Sequence, residues 1–181
     1  MGIVIKELKA INHEIMRQVD RSENVESVYV GRPLTSGLGL ELQKIPQDPI
    51  MTLQPWSEEG IARRIQNWQP EIEKGGHLLA ALNGDKVVGF GIIGPTQSDE
   101  SIELCALFVS SEMRQSGIGS ILFRQLEKIA KKETAKSLLI YANPTSSSVD
   151  FYRKQNCAII GVVDKRLVSH LPLDVIFAKP L

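Results

Sequence analysis

The chain has 181 residues, 43% hydrophobic and 23% charged, which fits one folded domain with a core large enough to enclose a small-molecule site. Its 21 basic residues cancel its 21 acidic ones, so no overall field recruits nucleic acid and no run of like charge marks a basic arm or an acidic tail. Cys105 lies in an apolar run and Cys157 stands apart, which argues against a disulfide framework or a cysteine metal cluster and makes a reducing cytoplasm the expected compartment.

The first ten residues, MGIVIKELKA, lack a secretory apolar core, and Lys6 stands where a myristoylation signal wants Ser or Thr. No stretch approaches the roughly 20 apolar residues that span a membrane. IVIKEL, Ile3 to Leu8, alternates as a short strand does, and INHEIMRQVDRSENVESVYV reads as one or two amphipathic helices. Glycines and prolines punctuate Gly31 to Trp56, which predicts loop with one strand around Leu38 to Leu42. Ser57 is placed to cap a helix over EEGIARRIQNW, although Gly60 stands where a capping box would have Glu or Gln.

From His77 the signals sharpen. HLLAALNGDKVVGFGII is two apolar segments around Asn83-Gly84-Asp85, a hairpin signal because Asn and Gly tolerate the positive φ of tight turns. SIELCALFVS follows as a third strand. From Gly117 the period changes to about 3.6 residues, with Ile118, Ile121, Leu122, Leu126, Ile129 and Ala130 on one face. SLLIYA is a short buried strand, and Pro144, Thr145 and three serines lead into a helix around VDFYRKQ that Asn156 can end in a left-handed cap. CAIIGVV and DVIFA supply two last strands. The order predicts a mixed α/β sheet with helices on its faces.

Arg114-Gln115-Ser116-Gly117-Ile118-Gly119 joins a strand to a helix. Two glycines there leave backbone N–H groups uncovered at the positive end of a helix, a setting suited to phosphate. A dinucleotide fingerprint would need a third glycine where Leu122 stands, and a Walker loop needs Gly-Lys-Ser/Thr, which is missing. A plain glycine turn between strand and helix accounts for the two glycines by themselves equally well.

With its flanks, this stretch resembles the Arg/Gln-x-x-Gly-x-Gly/Ala loop of the GCN5-related N-acetyltransferases (GNAT). The likeness continues through SLLIYANPTSSSVDFYRKQNC and covers about Leu78 to Cys157. Where the common pattern ends Gly-Phe, this chain has Asn156-Cys157. The resemblance implies a single N-acetyltransferase domain over residues 1–181, built on a mostly antiparallel central sheet flanked by helices, with a splayed parallel strand pair. It implies direct transfer of acetyl from acetyl-CoA, as co-substrate and without a metal, to a primary amine on a small molecule. The partner is then that small-molecule amine rather than nucleic acid or membrane, with a homodimer left open. A non-catalytic acyl-CoA-binding regulatory domain and a protein or peptide N-acetyltransferase are the alternatives.

On the same resemblance, backbone N–H groups of Gln115, Ser116, Gly117, Ile118 and Gly119, with Ser120, would cradle the pyrophosphate, and Arg114 would add charge beside it. Leu107, Phe108 and Val109 would pair with the pantetheine arm through their backbone, and Asn143, where the second strand of the splayed pair would diverge, and Ser148 would also bind the cofactor; a polar residue starting a turn accounts for Asn143 as well. Tyr152 matches the general acid that protonates the departing thiolate. Glu103, in an otherwise apolar strand, stands where some members place a general base, provided the face shared by Glu103, Cys105 and Leu107 lines the cleft; water or His77 is the substitute. His13, His77 and His170 lack ligand spacing. Trp56 and Trp68 read as packing residues. Asp20, Glu23 and Glu26 are placed to attract a cationic acceptor, and a solvated helix face explains them as well.

Overall fold

The computed structural model describes residues 2–36, 40–164 and 173–181. The elements are β1 (Ile3–Leu8), α1 (His13–Gln18), β2 (Glu23–Pro33), β3 (Leu40–Leu53), α2 (Glu58–Glu73), β4 (His77–Asn83), β5 (Lys86–Ile93), β6 (Ser101–Val109), α3 (Ile118–Lys132), β7 (Ser137–Ala142), α4 (Ser146–Lys154), β8 (Ala158–Asp164) and β9 (Leu173–Pro180). This is the expected mixed α/β class, a mostly antiparallel sheet with one parallel pair, β6 and β7, and flanking helices. Two compact units emerge, residues 1–23, 54–139 and 180–181, and residues 24–53 and 140–179.

In the first unit β1, β4, β5 and β6 are neighbours in that order, each pair antiparallel. Asn83 pairs with Lys86 across a loop of Gly84 and Asp85, and only Gly84 takes the positive φ, 64°. Glycine at the first loop position is the requirement of a type II′ turn, so Asn83 is the last strand residue rather than part of the loop. Ile11, Met16, Ile61, Leu78, Phe90 and Ile92 join α1, α2 and the strands in one buried cluster, with Trp56, Trp68 and Phe108 packed against it. Ser57 caps α2 as expected, its hydroxyl accepting from the Gly60 amide at 3.1 Å.

Helix α3 packs with Ile118, Leu122, Phe123, Leu126 and Ala130 buried, so Phe123 takes the core place expected of Ile121 and Ile129, which are half-buried. The helix lies very close to β5. A Cβ on Gly91 would stand 2.6 Å from Leu126 Cδ1 and 3.1 Å from Leu107 Cδ1.

Strand β6 carries one extra residue. Ile92 pairs with Ala106 but Ile93 pairs with Leu104, so Cys105 bulges from the ladder. A bulge interrupts strict alternation, and paired residues share a face, so Leu107, opposite Gly91, lies on the α3 side whereas Phe108, opposite Phe90, lies in the cluster with α1 and α2. Cys105 packs against that same cluster.

The segment leading into the second unit, and that unit's first strands, depart most from expectation. Of the helices read into residues 11–30 only α1 forms, capped by Asn12, whose side chain accepts from the Ile15 amide at 3.0 Å. From Glu23 the chain is strand β2, paired with the 14-residue β3 in a separate two-stranded sheet. Val25, Val28, Tyr29 and Val30 favour extended backbone. Pro46 and Pro49 lie within β3, in a two-stranded ribbon whose strands each have one open edge. The expected strand near Leu38 to Leu42 lies outside the described residues at positions 38 and 39. Also in this unit, β8 pairs antiparallel with β9, and β9 neighbours β7. Helix α4 ends as expected: Asn156 has φ 59°, its amide donates to Arg153 O and the Cys157 amide to Tyr152 O, the paired bonds of a Schellman cap.

Thr145 begins α4. It is fully buried, and its Oγ1 accepts from the Ser148 amide at 3.4 Å. Thr145→Ala removes that acceptor and is expected to lower stability by about 1 kcal/mol, as cap losses do, read as a lower urea midpoint at unchanged slope.

Candidate active site

After β6 the chain makes a single 3₁₀ turn, Ser111–Met113, then runs extended at Arg114 (φ −66°, ψ 159°). Gln115 and Gly117 are both left-handed, φ 62° and 87°. Gly117 is the N-cap of α3, so no side chain caps the helix, and a Cβ built there meets nothing within 4 Å. The glycine is therefore demanded by conformation and not by crowding. The result is an exposed bend over Gln115, Ser116 and Gly117 that aims the open positive end of a 15-residue helix outward, suited to an anionic phosphate. Gly119 lies within the first turn of α3 and has no positive φ, so the left-handed requirement falls on Gly117.

The bend is stitched to the chain between α1 and β2. The Ser111 amide donates to Asp20 O at 2.8 Å, the Asp20 amide to Ser110 Oγ at 3.3 Å, and Ser111 Oγ to Asp20 Oδ2 at 2.7 Å. Arg114 sends Nη2 to Arg21 O at 2.9 Å and Nε to Val109 O at 3.4 Å, and pairs with Glu23 at 3.4 Å. The Arg114 guanidinium thus braces the bend from behind. Asp20 and Glu23, read as a lure for a cationic acceptor, are partners in this brace; Glu26, in the second unit, is exposed. Bonds from the Ser22 amide, the Ser111 hydroxyl and the Ser22 hydroxyl hold the Asp20 carboxyl below its ordinary range.

Glu103 is exposed on β6, and its backbone carbonyl accepts from the Gly94 amide at 2.9 Å. The bulge changes which residues accompany it. Glu103 and Cys105 fall on the face shared with Ala106 and Phe108, and Leu107 on the other, because the extra residue shifts the alternation. The single face expected of Glu103, Cys105 and Leu107 is therefore not formed. Burial first, then Glu103 and Glu71, pushes the Cys105 thiol up to about 12, so it is not poised to be a nucleophile. His77 opens β4 with Nδ1 2.6 Å from Glu7 and Nε2 3.6 Å from Glu133. Both its ring nitrogens thus already face carboxylates.

In the second unit, Asn143 is exposed just after β7. Ser148 is built into the α4 cap, its Oγ accepting from Thr145 Oγ1 at 3.1 Å. Tyr152 is buried at 8% exposure, its ring 5.1 Å from Phe151 and 5.5 Å from Phe177. Burial, then the neighbouring Cys157, pushes its phenol well above the ordinary tyrosine value. The bend with Leu107, Phe108 and Val109 thus belongs to the first unit, and Asn143, Ser148 and Tyr152 to the second. Thr145, buried and central to the α4 start, was not singled out from sequence; its position before three serines was the available signal. Among the described residues no group of three or more His, Cys, Asp or Glu could hold a metal ion, and no helix is long and apolar enough to cross a membrane.

The model of the acetyltransferase (GNAT) family matches residues 41–156, more than half of the chain and inclusive of the bend. The chain belongs to that family. Solved structures agree with the GNAT fold throughout the chain. Nourseothricin acetyltransferase is similar at TM-score 0.79 and 16% identity, with 99% of each chain covered. A candidate streptothricin acetyltransferase from Bacillus anthracis str. Ames, in complex with acetyl coenzyme A, is similar at TM-score 0.77 and 16% identity, covering 100% of this chain and 98% of that one. An aminoglycoside 6'-N-acetyltransferase complexed with coenzyme A reaches 0.57 at 20% identity, over 68% of this chain and 81% of the other. No curated protein matches by sequence.

Because the Asp20 pKa is depressed in the fold, its contribution to stability is present above the unfolded value near 3.9 and is lost as pH falls through the folded one. Asp20→Asn is expected to be less stable than the parent at pH 7, the gap narrowing below about pH 4. Urea midpoints measured from pH 3 to pH 7 check this.

Proposed function

We propose that the chain, as one catalytic domain over residues 1–181, transfers the acetyl group of acetyl-CoA to the primary amine of a small molecule by direct attack. The observation that carries this is the uncapped start of α3 behind a left-handed Gly117, in a chain of the GNAT family. Support for a small-molecule acceptor comes from similar structures named for nourseothricin, streptothricin and aminoglycosides. The fit of acetyl-CoA rests on the open space where a Cβ at Gly117 would point and on the exposure of Gln115 and Ser116. Amides from Gln115 to Gly119, with Ser120, hold the pyrophosphate; backbone groups of Leu107, Phe108 and Val109 hold the pantetheine amides; Asn143 and Ser148 contact the arm. Arg114 acts as a positioning residue for the bend.

The neutral amine forms a C–N bond to the acetyl carbon, the C–S bond breaks, and the electron pair leaves on sulfur as thiolate. The amine gives up a proton, through water, to Glu103, and Tyr152 returns one to sulfur. Its raised pKa keeps Tyr152 protonated throughout the working range, though it also makes the phenol a weaker acid. No covalent enzyme intermediate is needed, which accords with the raised thiol of Cys105. Two free cysteines accord with a cytoplasmic setting.

The test is a mass-resolved screen of amines with purified protein and acetyl-CoA. Tight CoA binding without transfer to any amine would favour a regulatory acyl-CoA-binding domain. Tyr152→Phe keeps the ring and its packing, so an intact fold with single-turnover transfer about 10- to 1000-fold slower is expected; a wild-type rate would return Tyr152 to the core. Glu103→Gln is expected to slow transfer most at low pH, where the amine is protonated, while leaving CoA affinity unchanged. A rate that falls equally at every pH would remove Glu103 as the base.

A further inference from the structure

Two guanidinium groups share one indole ring in the first unit. Arg21 Cζ lies 4.6 Å and Arg64 Cζ 4.1 Å from the Trp56 ring centroid, and Trp56 stands edge-on to Phe108 of β6 at 5.0 Å. Both arginines are half-buried. Among the described residues each makes one hydrogen bond to a backbone carbonyl, Arg21 Nε to Gln54 O at 2.9 Å and Arg64 Nη1 to Gly60 O at 3.3 Å, out of the five donors a guanidinium carries. Neither is in an ion pair among the described residues. Glu23, the carboxylate that favours the charge on Arg21, is paired with Arg114. Burial first, then Arg21 and Arg63, lowers the Arg64 pKa to about 10. The Trp56 Nε1–H, too, is buried without an acceptor.

A neutralised counterpart exists in the second unit. Lys44 and Arg153 both lie over the ring of Tyr29, at 5.8 and 5.1 Å. There Asp150 accepts from the Tyr29 hydroxyl at 2.7 Å and from Lys44 at 3.0 Å. Around Trp56 the cations and the ring are present, and among the described residues no carboxylate forms an ion pair with either arginine.

We propose that Arg21 and Arg64, held on the Trp56 ring, form a subsite for an oxyanion, a carboxylate or phosphate carried by the acyl acceptor. Guanidinium forks match such groups in charge and shape, and a bound oxyanion supplies the acceptors that these donors lack. The cluster packs on Phe108, in the strand assigned to the pantetheine arm, which sets the subsite beside the thioester path in the same unit. The acceptor is thus an amine bearing an anionic group, in contrast to a purely cationic antibiotic. The choice of acceptor rests on the N-acetyltransferase reading above; the oxyanion subsite does not.

The test uses the full chain. The chain has two tryptophans, so a Trp68→Phe background leaves Trp56 as the sole indole, whose fluorescence is titrated with inorganic phosphate and with N-acetylglycine at constant ionic strength, chloride serving as the control. A saturable change with each anion is expected, weakened in Arg64→Lys and lost in Arg64→Gln and Arg21→Gln. A response no larger than that to chloride, or one that survives both glutamine variants, overturns the subsite. Acetyl transfer is then compared for amino acids against their carboxamides, and for O-phosphoethanolamine against ethanolamine. The anionic member of each pair is expected to be preferred, and Arg64→Gln to raise its KM about 10- to 100-fold, as the loss of a charged hydrogen bond does, with kcat and CoA affinity unchanged. Preference for the neutral members overturns the assignment to the acceptor, and so does a fall in CoA affinity, which would give the oxyanion to the cofactor's phosphates. Should no amine be acetylated, the enzyme reading fails while the fluorescence titration still decides the subsite.

Discussion

The close approach of α3 to β5 sets the geometry of the candidate site. At Gly91 there is no room for a side chain, because Leu126 and Leu107 fill the volume a Cβ would claim. Packed that near, α3 has little freedom to slide, and its start is fixed relative to the end of β6. The connection between them, residues 110 to 117, must then turn within a few residues. Left-handed backbone at Gln115 and Gly117 meets that demand, and the bonds from Asp20 and Arg114 hold the bend from its other side. The open helix start is in this sense a product of ordinary core packing behind it. It presents backbone amides, and its position rests on the packing of Leu126 and Leu107.

Local signals made much of this legible. The hairpin, the Ser57 and Asn156 caps, α3 and the bend depend on residues close in sequence, so their chemistry could be read directly. The β2–β3 ribbon could not, because its prolines mimic loop punctuation and the polar residues around Val25 imitate a helix face. The bulge at Cys105 was hidden for a different reason. SIELCALFV reads as a plain apolar run, and only the register against β5 shows that one residue is extra. That single residue divides Glu103 from Leu107 and breaks the shared face that plain alternation predicts. Of the site residues, the bend was legible because glycine has a conformational meaning. Arg114 was legible as important but not as a brace, since its partners, Arg21 O and Glu23, lie some 90 positions away.

Charge in this chain cancels in sum and not in place. Asp20, Glu23 and Asp150 are each matched to a nearby donor, and the Glu7–His77–Glu133 contact is equally local. Arg21 and Arg64 break the pattern. Each is half-buried over the Trp56 ring with a backbone carbonyl as hydrogen-bond partner and, among the described residues, no ion pair, and two cations on one ring repel. Around Tyr29 the same chain sets a carboxylate, Asp150, against the ring hydroxyl and Lys44.

The two thiols carry a practical consequence. Cys157 is sheltered by packing at 7% exposure, and half-buried Cys105 is held in its less reactive protonated form by desolvation, with Glu103 and Glu71 adding to it. Thiol-directed reagents at neutral pH therefore find little to modify. A cysteine introduced at exposed Ser116 would be the one readily labelled position, so a single fluorophore could be mounted on the bend itself without first removing either native cysteine.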